Sequence, residues 1–96
     1  MHVGVCQLTL RLAASHSLKE KRQVVRSVLE RVRRQFNASV AEVEEQDAWQ
    51  TAVLGIAVVS NQSAHAEQQV ARIVHAIEAA RIDAEIVGEQ VEVIAV

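Results

Sequence analysis

Residues 2–36 read HVGVCQLTLRLAASHSLKEKRQVVRSVLERVRRQF, and within them apolar side chains change from recurring every second residue to every third or fourth. The first period belongs to a strand and the second to a helix. Over residues 2–12, Cys6, Leu8, Leu10 and Leu12 fall on one face, with Val3, Val5, Gln7, Thr9 and Arg11 on the other. A short loop, Ala13 to His16, follows. Ser17 with Glu20 three residues later matches a capping box and opens the helix. Its apolar stripe runs Leu18, Val25, Val28, Leu29, Val32 and Phe36, and Asn37 ends it.

Beyond this unit, Ala38 to Glu44 reads as an edge strand, with Val40 and Val43 among acidic residues. The polar loop EEQDAWQ (44–50) leads into TAVLGIAVVSN (51–61), a β-branched apolar run of strand length that reads as a central strand buried on both faces. Asn61 or Ser63 caps a second helix to about Ala80, with the stripe Ala66, Val70, Ile73, Val74 and Ile77. A last strand spans about Ala84 to Val96, and Gly88 within it marks a bulge. The order βαββαβ is the ferredoxin-like pattern. It predicts an α+β fold whose four-stranded antiparallel sheet has strand order 4-1-3-2, with both helices on one face.

Composition agrees with one ferredoxin-like domain over residues 1–96, since half of the side chains are apolar and a core of that size needs no metal or disulfide. No apolar run is long enough to span a bilayer, and the first residues lack the cationic stretch of a secretion signal, so a cytoplasmic protein is expected. The single cysteine, Cys6, reads as a small buried hydrophobe, because no cation adjoins it to lower its pKa.

Charge is distributed unevenly. The overall balance is -2, yet Ser17 to Phe36 holds seven of the ten Lys and Arg residues against only Glu20 and Glu30. On a helical wheel Lys19, Arg22, Arg26 and Arg33 fall within roughly 60° beside the apolar stripe. Arg34 and Arg31 lie farther round, while Lys21 sits near the opposite margin and has to snorkel to reach water. The cations of the last turn favour the helix dipole, but Lys19, Lys21 and Arg22 oppose it. Placement of those three makes sense if an anion such as phosphate docks near Ser15, His16 and Ser17. The same charges also fit a solvated helix face, partly neutralised by Glu42, Glu44, Glu45 and Asp47.

Chemistry of other kinds finds little footing. His65 and His75 are ten residues apart on the second helix, on different faces, and His2 and His16 are remote in sequence, so no metal site is expected. There is no phosphate-binding glycine loop and no nucleophile elbow; Ser60-Asn61 reads as the turn that starts the second helix. Asp47 has no evident partner for general acid–base work. No catalytic residue and no cofactor is therefore expected.

With only Phe36 and Trp49 as aromatics, the first and third strands lack the stacking rings of a sheet that reads RNA bases. Trp49 reads first as a cover for one end of the core and second as an exposed interaction anchor. The third strand turns Val53, Gly55, Ala57 and Val59 away from the helices, so a second apolar sheet face is expected. Another copy of the chain or a partner protein would cover it.

The stretch SLKEKRQVVRSVLERVRRQFNASVAEVEEQDAWQTAVLGIAVVSN (17–61) resembles the YlxP-like family of small bacterial proteins. The likeness lies in Ser17-Leu18-Lys19, Lys21-Arg22, Phe36-Asn37, Ser39-Val40-Ala41-Glu42, Asp47, Trp49-Gln50 and Val59-Ser60-Asn61. It implies a ferredoxin-like fold and a gene commonly near those for translation initiation factor 2 and ribosome-binding factor A, but no established activity. Taken with the charge pattern, it leads to the expectation of a non-enzymatic accessory protein. Such a protein would dock rRNA or a ribosomal particle through Lys19, Lys21, Arg22, Arg26, Arg33 and Arg34. The alternative is a homo-oligomeric or protein-interaction module using Val53, Gly55, Ala57, Val59 and Trp49.

Overall fold

The computed structural model of the chain describes residues 1–80 and 83–96. Its elements run β1 (His2–Arg11), α1 (Leu18–Gln35), β2 (Ser39–Glu44), β3 (Thr51–Ser60), α2 (Ser63–Ala79) and β4 (Glu85–Ala95). The four strands form one antiparallel sheet in the order β2-β3-β1-β4, which is the expected order read from the other edge. This is the ferredoxin-like fold.

Register follows from the side-chain period. Cys6 pairs with Ile56, Leu8 with Leu54 and Leu10 with Ala52, so the buried faces of the two central strands coincide. Against that face lie Val25, Val28 and Val32 of α1 and Ala66, Val70, Ile73, Val74 and Ile77 of α2. Each large aliphatic side chain buried there contributes about 1.5–3 kcal/mol. Helix α1 covers the β2 side of the sheet, and α2 covers β1, β3 and β4. Close approach of α2 explains Gly4: a Cβ there would meet Val58 Cγ2 at 3.0 Å, Val70 Cγ2 at 3.0 Å and the Ala66 carbonyl at 3.1 Å.

Two irregularities shape the sheet. The β1–β4 register slips between Thr9 and Leu10, whose partners are Gly88 and Ile86, so the bulge expected at Gly88 sits beside it at Val87. A second slip in β2, between Glu42 and Glu44, leaves Val43 over Gly55 on the side away from the helices.

Candidate interaction surfaces

Helix α1 begins as its sequence dictates. The Ser17 hydroxyl accepts the Glu20 N–H at 3.1 Å, and the Glu20 carboxylate accepts the His16 N–H at 2.7 Å. A carboxylate of the same chain therefore occupies the positive end of the helix dipole. The expected phosphate position near Ser15, His16 and Ser17 is already filled, and Ser15 is itself buried.

Lys21 departs most sharply from expectation. Its side chain has 0% exposure, its ammonium lies 2.9 Å from Glu42 Oε2, and it donates to the carbonyls of Thr51 (2.9 Å) and Glu45. Two ammonium protons are thus accepted by backbone carbonyls, and the charge is balanced by the Glu42 carboxylate, as a buried cation requires. Lys21 faces the core beside Val25, Val28 and Val32 rather than snorkelling to water, so it leaves the phosphate-contacting set.

The remaining ridge is exposed. Lys19, Arg22, Arg26, Arg31, Arg33 and Arg34 all face solvent. Two of them are partly engaged by backbone: Arg33 Nη2 donates to the Val40 carbonyl at 2.8 Å, and Arg34 Nε approaches the Glu30 carbonyl at 3.5 Å. Among the described residues the one ion pair is Lys21–Glu42. Of the acids expected to mask the ridge, Glu42 is turned inward to Lys21, and Glu44, Glu45 and Asp47 form no ion pair with it among the described residues; Glu20, on the helix itself, is engaged by the His16 N–H. From Lys19 to Arg33 the ridge extends about 21 Å along the helix axis.

The opposite sheet face carries a shallow concavity of about 500 Å³, lined among others by Val5, Ala41, Val43, Gly55, Ala57 and Gln90. It exists because small residues sit side by side: Ser39 pairs with Ala57 and Ala41 with Gly55. Val59, at 68% exposure, and Ile94 flank it. Of the expected interface residues, Gly55, Ala57 and Val59 do reach this surface, whereas Val53 is only 7% exposed and offers no docking area.

Trp49 is 54% exposed and lies outside the buried core, so about half of its surface faces solvent instead of closing one end of the core. It lines an open concavity with His16, Ala48, Gln50 and Thr51. The loop that bears it is fixed on both sides. Gln50 Nε2 donates to the carbonyls of Ala13 (3.2 Å) and Ser15 (3.3 Å), the Leu12 N–H donates to the Gln50 carbonyl (2.9 Å), and Lys21 holds Glu45 and Thr51.

Other candidates behave structurally. Cys6 is buried, and its thiol is pushed up from 9.0 to about 11 by burial and then by the nearby Glu89 carboxylate. Ser60 accepts the Gln62 N–H at 3.1 Å and lies 2.9 Å from His65 Nδ1. It thereby stabilises the start of α2, whose N-cap, Gln62, makes no side-chain bond of its own. Among the described residues no group of three or more His, Cys, Asp or Glu is arranged to hold a metal ion, and no helix is long and apolar enough to cross a membrane.

The profile of a family described as "Protein of unknown function (DUF503)" matches residues 3–91. A relative from Bacillus subtilis (strain 168), "Uncharacterized protein YlxP", is 37% identical over 71 residues, which are 74% of this chain and 77% of that protein. Among solved structures, the solution NMR structure of a de novo designed protein with a ferredoxin fold superposes with a TM-score of 0.55. The match covers 95% of this chain and 84% of the designed one at 22% identity, and it speaks for the fold alone.

Proposed function

The chain belongs to the DUF503 family of proteins of unknown function, and from that premise we propose that it is a non-enzymatic docking protein that grips RNA phosphates through the exposed face of α1. One observation supports the reading above others. Lys19, Arg22 and Arg26 point to solvent without a carboxylate partner among the described residues, while two acids near them, Glu20 and Glu42, are engaged by His16 and Lys21. A helix face evolved only for solubility gains nothing from keeping its counter-charges away.

Guanidinium groups suit phosphate because their planar forks match its oxygens in paired hydrogen bonds. Arg33 and Arg34 extend the face toward the end of the helix with the donors left over from their backbone contacts. Phosphate contacts position a protein without reading sequence, so weak sequence preference and steep salt dependence follow. The gene setting implied by the YlxP-like resemblance makes rRNA or a ribosomal particle the natural polyanion. Co-sedimentation with ribosomal subunits tests this: the protein should travel with particles at low salt and be released as salt rises. An Arg22→Ala/Arg26→Ala variant that still co-sediments like the wild type would remove the ridge from the reading.

A second reading draws on the open sheet face. The concavity over Gly55 and Ala57, flanked by Val59, Val43 and Ile94, has the apolar character of an interface between two copies of the chain. Sedimentation velocity decides it. A strict monomer at high micromolar concentration would remove the self-association form.

A further inference from the structure

We infer that the concavity beside Trp49 is a stacking shelf for one unpaired base of the RNA that the α1 cations hold. This deepens the docking function proposed above and rests on it. Trp49 is the only tryptophan, and at 54% exposure it stands outside the buried core. An exposed ring on a loose loop would mean little. This loop, however, is tied from four directions: Lys21 binds the Glu45 and Thr51 carbonyls, Gln50 bridges to Ala13 and Ser15, Leu12 donates to the Gln50 carbonyl, and the Ala48 N–H donates to the Glu45 carbonyl at 3.0 Å. Glu45 even holds a left-handed φ of 62° to make the turn. A ring held on such a frame loses little freedom when a ligand stacks on it.

The lining of the concavity fits a neutral flat heterocycle. His16, Ala48, Gln50 and Thr51 surround Trp49, and none of the carboxylates of the same hairpin (Glu44, Glu45, Asp47) lines the space. Those acids repel phosphate from the hairpin, whereas α1 attracts it. His16 stands just before the N-cap of that helix, held by Glu20, and Lys19 and Arg22 follow within its first two turns, about 4.5 Å apart along the axis. A strand whose phosphates follow α1 can therefore place a base over Trp49 while keeping its backbone away from the acidic loop. A cationic groove beside an aromatic ring is the combination by which single strands are bound without sequence reading. The stacking ring sits on the β2–β3 hairpin rather than on the sheet.

The test uses the full chain, the intrinsic fluorescence of Trp49, and three probes: a dye-labelled single-stranded oligoadenylate, an RNA duplex of the same length, and polyphosphate, which has the charge without bases. Single-stranded oligoadenylate should quench Trp49, and polyphosphate should bind without quenching. By anisotropy of the labelled strand, Trp49→Ala should weaken single-strand binding about tenfold and leave polyphosphate binding unchanged, while Trp49→Phe should restore most of the loss. Single-strand binding with unchanged Trp49 emission and an unaffected Trp49→Ala variant would overturn the shelf and leave the phosphate-docking function standing. Failure of all three probes to bind wild type at low salt would overturn the docking function itself. Trp49 emission that follows protein concentration rather than RNA would assign the shelf to a second copy of the chain, and also overturns the inference.

Discussion

Lys21 Nζ and Glu42 Oε2 meet 2.9 Å apart beneath the β2–β3 hairpin, one side chain fully buried and the other at 16% exposure. The pair joins the first turn of α1 to the edge strand, and through the Glu45 and Thr51 carbonyls it also sets the two ends of the hairpin loop. A cation that looks like part of the docking charge thus belongs to the fold. Truncating it should strand a buried carboxylate and two carbonyls, so Lys21→Ala should cost about 3–5 kcal/mol. Replacing both partners, as in Lys21→Met/Glu42→Gln, should cost less than Lys21→Ala alone. Urea denaturation measures both, and a Lys21→Ala loss below about 1 kcal/mol would contradict the structural role.

Glycine positions give a second, contrasting prediction. Gly4→Ala puts a methyl against Val58, Val70 and the backbone carbonyl of Ala66, which α2 cannot easily yield, and should destabilise by about 1–3 kcal/mol. Gly55→Ala meets Val43 Cγ1 at 2.8 Å, but Val43 is an exposed side chain free to turn aside. Thermal unfolding should separate the two variants, with Gly55→Ala close to wild type; equal losses would contradict the packing described for α2.

Cys6 should resist thiol reagents. With its thiol raised to about 11 by burial and by Glu89, almost no thiolate exists at pH 8, and the side chain is inaccessible in the folded state. Labelling should be slow until denaturant is added. Because the folded pKa lies above the unfolded value, this group's effect on stability is absent below about pH 9 and becomes a loss as pH rises toward 11. Rapid labelling of native protein at pH 8 would contradict the burial.

On the open sheet face, Val59 is 68% exposed and outside the buried core, so Val59→Lys should change monomer stability by no more than about 0.5 kcal/mol. Any dimer that uses this face should nevertheless dissociate more readily. Sedimentation equilibrium of the variant beside wild type reads both effects at once, and a wild-type dimer unaffected by the lysine would place its interface elsewhere.

Much of this molecule was legible in its sequence. Alternation in 2–12, the change of period at Ser17 and the β-branched run 51–61 led directly to the strand order, Ser17 and Glu20 marked a cap where the chain has it, and Gly88 marked a bulge one residue from its place at Val87. What escaped depended on contacts between distant residues. On a wheel Lys21 falls inside the apolar stripe, between Val28 and Val32, but a lysine can stay there only because Glu42 and two carbonyls 24 and 30 residues away receive its ammonium. The only local hint was its place between the buried positions, one turn before Val25. Likewise, the outward turn of Trp49 comes from Gln50 reaching back to Ala13 and Ser15, and Val53 is buried although its strand face is open.

The salt dependence of RNA binding tests the role of α1 most directly. With about four phosphate contacts, the logarithm of affinity for a single-stranded RNA should fall against log salt with a slope near -3, a loss of roughly 50-fold between 50 and 200 mM. Arg22→Ala/Arg26→Ala should flatten that slope by about 1.4 and weaken binding to different sequences alike. A slope near zero in wild type, or an unchanged slope in the double variant, would contradict a phosphate-docking face on α1.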